Sequence, residues 1–175
     1  MLRFAQGCAA ALLVVALAGC GGPDKADPTC PRVAVVGELG RVTYFRAGLG
    51  RDITDITAEA EMEVRGIKCS FNRNNVDMEF DIAILASAGP ADRTRSYGLD
   101  YFVGVMDPEG NMTRHESFRV QVQFTGNQPR QAATEPMATR IPVRDRARAP
   151  NYSVVVGFQL TDEQLQWNQG RRRAN

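Results

Sequence analysis

The chain has 175 residues, with 21 basic and 20 acidic side chains and a formal net charge of +1. That balance lacks the basic footprint by which proteins hold nucleic acid, so no nucleic-acid partner is expected. The length suits one domain that buries about two-thirds of its unfolded surface.

Residues 1–19 have the parts of a secretory signal. Arg3 makes the start positive, residues 9–17 are an apolar run, and Ala18 and Gly19 are small. The run is shorter than the about 20 apolar residues a membrane-crossing helix needs, and Gly21-Gly22-Pro23 would end a helix at once. Leu17-Ala18-Gly19-Cys20 resembles the lipobox of bacterial lipoproteins. The resemblance implies removal of residues 1–19, a diacylglyceryl thioether on Cys20 and acylation of the new amino group. Each buried CH₂ contributes about 0.8 kcal/mol, so two or more acyl chains hold a protein stably where one does not. Gly21 rather than Asp after Cys20 implies, in that class, sorting to the outer membrane. The expected location is its periplasmic face, with inner-membrane anchoring as the alternative.

Cys8 leaves with the signal and Cys20 is expected to carry lipid, which leaves Cys30 and Cys69. An exported pair meets an oxidising compartment and normally bridges. Neither has a neighbouring ligand at metal spacing, so a Cys30–Cys69 disulfide is expected. Closing a loop of that length is worth roughly 4 kcal/mol in the chain-entropy account.

Residues 20–29 read as the lipidated Cys20 followed by a flexible Gly- and Pro-containing tether, able to extend about 30 Å. The folded domain is expected over 30–169, with 170–175 as a basic tail. Within the domain the dominant period is two, the mark of strands. Residues 33–36 are a short apolar run and 41–45 are β-branched and aromatic. Over 58–65 apolar and charged residues alternate, which favours a strand, although Ala, Glu and Met would also suit a helix over about 53–65. At Gly66 the apolar parity switches to Ile67, Cys69 and Phe71, as a β-bulge would produce. Residues 76–84, 97–105 and 118–124 alternate cleanly and predict an antiparallel meander of three strands. A turn at 107–111 and a solvated turn around His115 separate the last two. Residues 126–138 are polar, contain Pro129 and Pro136, and read as a long loop. Ile141-Pro142-Val143 fits an edge strand only. After a last strand at 152–160, Thr161 and Gln164 have the spacing of a capping box for a short helix that Gly170 should stop.

Seven or eight strands without αβ alternation predict a mainly β fold: an antiparallel β-sandwich of immunoglobulin-like type with a short C-terminal helix. A small closed barrel is the alternative. The closing stretch Val156-Gly157-Phe158-Gln159-Leu160-Thr161, with Glu163 and Asn168, is similar to the end of a family of small Gram-negative envelope lipoproteins. The Cys30-Pro31 opening and the Gly-Ile-Lys-Cys69 segment resemble that family's paired cysteines. The resemblance implies a lipidated β domain and no particular activity.

Little in the sequence points to catalysis. His115 is the only imidazole, and no GxSxG, SxxK or HExxH motif is present. No catalytic residue, metal ligand or cofactor is assigned. Asp77, Glu79 and Asp81 form a carboxylate row that could hold Ca²⁺, but such rows are more often the wet side of a strand. Arg140, Arg144, Arg146 and Arg148 are an asymmetric basic feature suited to phosphate or carboxylate contact. They equally suit the blunting of an edge strand. The expected role is a non-enzymatic adaptor or assembly component of the cell envelope. Its membrane contact runs through the acyl chains on Cys20, and its further contacts would be an envelope protein, lipopolysaccharide or peptidoglycan. A small-ligand-binding β domain is the alternative and a lipid-anchored hydrolase the third reading.

Overall fold

The computed structural model of the chain describes residues 29–48 and 50–174. The expected signal 1–19, the lipid-bearing Cys20 and tether residues 21–28 lie outside the described residues. Within them are eight strands: β1 (Arg32–Val35), β2 (Arg41–Phe45), β3 (Ile56–Phe71), β4 (Asn75–Ala88), β5 (Ser96–Met106), β6 (Met112–Gln123), β7 (Arg130–Pro142) and β8 (Ser153–Phe158). A helix, α1 (Asp162–Ala174), follows.

The strands form two four-stranded sheets, one in the order β1-β8-β5-β6 and the other β2-β3-β4-β7. Every neighbouring pair is antiparallel except β1 with β8, which run parallel. The architecture is an antiparallel β-sandwich with a C-terminal helix, not a closed barrel. Alternation explains the core: Val76, Met78, Phe80, Ile82 and Ile84 of β4 face Leu99, Tyr101, Val103 and Val105 of β5, and all are buried. Each such side chain contributes about 1.5–3 kcal/mol by leaving water.

The parity switch in β3 is a bulge, as expected. Arg65 pairs with Asp81 and Lys68 with Glu79, so one extra residue sits on β3. Gly66 takes φ +62° there, a conformation costly for any residue with a Cβ. Ile67 departs from the expectation: it belongs to the bulge and is 45% exposed instead of buried. Residues 53–65 are a single 3₁₀ turn (Ile53–Asp55) followed by strand, so the alternation prevails over helix propensity.

Four further expectations are corrected. The predicted three-strand meander is divided, because 76–84 lies in one sheet and 97–105 in the other. The chain crosses at 89–95, where Asp92 accepts hydrogen bonds from the backbone N–H of Thr94 and Arg95 (both 3.1 Å) and from the Tyr97 hydroxyl (2.7 Å). Those bonds hold Arg95 at φ +58°. Second, the expected loop 126–138 is mostly strand β7, of which Ile141-Pro142 is only the end. Both prolines are tolerated because β7 is an edge strand. Pro136 and Pro142 are six residues apart, so both missing donors face the unpaired side. Third, His115 lies within strand β6 and not in a turn. Fourth, the helix runs through Gly170 to Ala174, so the expected tail 170–175 is mainly helix. A glycine inside a helix costs about 1 kcal/mol but does not end it.

Helix α1 starts at the predicted capping box. Thr161 N–H donates to Gln164 Oε1 and Gln164 N–H to Thr161 Oγ1. The helix then lies along the free edge of β2. Gln164 Nε2 donates to the Thr43 carbonyl (3.2 Å) and Asn168 Nδ2 to the Arg41 carbonyl (2.8 Å). Four helical residues rise about 6 Å, close to the about 6.7 Å spanned by two strand residues. Side-chain amides at i and i+4 thus replace a neighbouring strand. Trp167 packs edge-on against Phe45 and fixes the helix over β2.

Candidate functional site

The β1/β2 side of the sandwich is closed, by α1 over β2 and by the bridge between Cys30 and Cys69. That bridge joins the approach to β1 in one sheet to β3 in the other, with Cα atoms 5.9 Å apart. The opposite side is bounded by β6 and β7, both unpaired along their outer edges among the described residues.

On β6 the inward parity belongs to Arg114, Glu116, Phe118, Val120 and Val122, which stand opposite Val105, Val103, Tyr101, Leu99 and Tyr97 of β5. Val120 and Val122 are buried. Arg114 and Glu116 occupy core-facing positions with side chains 47% and 53% exposed, and they pair with each other at 3.6 Å. Residues 112–117 are therefore exposed on both faces of the strand. Charges at these positions keep the sheets from closing at this end, since burying them without full compensation is costly. Below them, Phe118 stacks on Tyr101 at 5.3 Å. The Tyr101 hydroxyl reaches Met137 Sδ of β7 at 3.9 Å. Burial, and then the nearby Glu135 carboxylate, push the Tyr101 phenol up to about 12, so it stays protonated.

The space enclosed between the sheets beside Phe80, Val103 and Met137 is about 10 Å³, room for one water at most. A groove of about 270 Å³ lies on the outer face of the second sheet, over Ala83, Leu85, Ala132 and Thr134, with Glu61 and Arg65 at its rim. Leu85 is 51% exposed in it. The outer positions of β7 there, Ala132 and Thr134, are small, which leaves room for the groove.

The predicted site residues scatter. The Cys30–Cys69 pair is joined, whereas Cys20 is outside the described residues. Asp77, Glu79 and Asp81 stand on one outer face beside cations, opposite Arg140, Lys68 and Arg65. Asp77 accepts from Arg140 and from Asn72, both at 2.6 Å. No group of three His, Cys, Asp or Glu side chains is placed to hold a metal among the described residues. Of the four arginines, Arg140 is engaged with Asp77, and Arg148 with Glu109 at 2.8 Å. Arg146 donates to the carbonyls of Phe71 and Asn72, while Arg144 is exposed. His115 is exposed and stacks on Phe102 of the neighbouring strand, with ring centroids 5.2 Å apart.

The open side itself went unread in the sequence. Its signal is the segment Met-Thr-Arg-His-Glu-Ser-Phe at 112–118, where charges fall on the parity that should be apolar. Among the described residues no helix is long and apolar enough to cross a membrane. No family model and no curated protein matches the chain.

Proposed function

We propose that the chain is a lipid-anchored, periplasm-facing outer-membrane lipoprotein that serves as a non-enzymatic docking module of the cell envelope. What supports the docking role is one observation: the sandwich presents two long strand edges, β6 and β7, on a single open side. A free edge offers backbone donors and acceptors to an added strand, and adjoining side chains give selectivity. The enclosed space beside Phe80, Val103 and Met137 has room for one water at most. Three of the four arginines of the basic feature already have partners within the chain. Both points favour a polypeptide partner over a small molecule or a phosphate surface.

The anchor and the docking role are tested separately. With Cys20 lipidated, Cys20→Ser should leave the precursor uncleaved or release the protein from membranes; unchanged membrane retention sinks the anchor. A photo-crosslinking residue at Glu116 or Ala138 should give a polypeptide adduct in living cells, and one at Gln169 on α1 should not. Equal labelling from all three positions, or none, rejects docking through the open side.

A further inference from the structure

Three of the four sheet edges are guarded, each differently. β1 is only four residues long. β2 has its carbonyls taken by Gln164 and Asn168. β7 turns the donor-free nitrogens of Pro136 and Pro142 outward. Short strands, covering elements and prolines prevent edge-to-edge pairing outright, whereas inward-pointing charges such as Arg114 and Glu116 of β6 prevent it only where no opposite charge meets them. β6 is twelve residues long, contains no proline and has no covering element among the described residues.

Its backbone orientation follows from one bond. Phe124 N–H donates to the Arg95 carbonyl at 2.8 Å, on the same register that pairs Gln123 with Ser96. In an antiparallel ladder the hydrogen-bonding residues alternate. Even-numbered residues of β6 therefore bond to β5, and the N–H and C=O of His115, Ser117, Arg119 and Gln121 point outward, free to accept a strand.

We propose that this edge pairs with β6 of a second copy of the chain, antiparallel about a two-fold axis at His115, joining the two four-stranded sheets into one of eight. The inference rests on reading the open side as a docking surface, and charge order selects the partner. With His115 opposite itself, Arg114 of each copy faces Glu116 of the other, so one substitution pattern yields two reciprocal ion pairs. Thr113 then faces Ser117. Moving the axis by one residue puts Glu116 against Glu116 or Arg114 against Arg114, and like charges directly opposite are destabilising. The register with matched charges is also one that sets outward-facing backbone groups against each other. Arg114 and Glu116 are exposed and already adjacent within one copy, so neither must leave a buried site to reach the partner.

The test is sedimentation of the full chain with charge swaps. Arg114→Glu alone and Glu116→Arg alone should each weaken self-association by roughly tenfold or more, because like charges then meet at both ends of the axis. Mixing the two variants should restore a dimer containing one of each, and the double variant R114E/E116R should again pair with itself. Regained pairing in the mixture and the double variant excludes misfolding as the cause of the loss. His115→Cys should be joined to a second copy by a short bismaleimide, and Gln121→Cys should not. A wild type that stays monomeric, single variants that associate like wild type, or a mixture that stays monomeric overturns the self-pairing. An adduct to a different polypeptide from Glu116 would then leave the docking role standing with another partner.

Discussion

Asn168 of α1 donates its side-chain amide to the main-chain carbonyl of Arg41, at 2.8 Å and across 127 residues of chain. The same amide reaches the Glu38 carbonyl at 2.7 Å, and the residue is 8% exposed. Leaving two part-buried carbonyls without a donor costs about 1–3 kcal/mol each at most. Asn168→Ala is therefore expected to destabilise the domain by about 2–3 kcal/mol in urea unfolding. Gln164→Ala, which removes the bond to the Thr43 carbonyl and the cap on Thr161 N–H, should cost about 1–2 kcal/mol.

Asp92 predicts an acid-sensitive crossover. Its carboxyl is held below the usual carboxylate range: burial opposes the shift, but the N–H of Arg95, the Tyr97 hydroxyl, the N–H of Thr94 and the Arg95 charge outweigh it. A group whose folded pKa is depressed contributes its stability above the unfolded value of about 4 and loses it as pH falls through the folded value. Asp92→Asn should thus be less stable than wild type near neutrality. The gap should shrink below about pH 4, as read by thermal unfolding across pH. A constant gap would show that the charge of Asp92 is not what matters.

Gly89 and Gly66 are required for different reasons. A Cβ at Gly89 would stand 2.2 Å from the Ile56 carbonyl oxygen, a backbone atom that cannot step aside. Gly89→Ala should cost about 2–3 kcal/mol. Gly66→Ala meets nothing closer than 3.3 Å but must hold φ +62°, which costs about 1–2 kcal/mol. Denaturant midpoints rank the two.

The Cys30–Cys69 bridge closes a loop with a sequence separation of 39. Replacing both cysteines with Ala is expected to remove roughly 4 kcal/mol. Denatured but unreduced protein should show no free thiol from either position.

Where a strand has one wet face, as at 76–84 and 118–124, alternation alone reveals it, and the bulge at Gly66 shows as a change of parity. β7 was hidden because it is an edge. Its outer residues Ala132, Thr134, Pro136 and Ala138 are small or proline, a composition that reads as loop until a neighbour is known to supply the ladder. The division of 76–84 and 97–105 between sheets was not legible either, since partner choice depends on contacts far apart in the chain. The open part of β6 is hidden for a related reason: Arg114 and Glu116 interrupt the apolar pattern, and in a sequence an interruption reads as a turn.

β8 stands between β1 and β5 in its sheet. Residues 32–35 therefore have no strand partner until residues 153–158 exist beside them. A chain emerging from its N-terminal end can assemble β2, β3 and β4, but must hold β1 in waiting through more than a hundred residues. Completion of the fold is tied to arrival of its C-terminal segment, so the β1-β8-β5-β6 sheet cannot close until nearly all of the chain has been made.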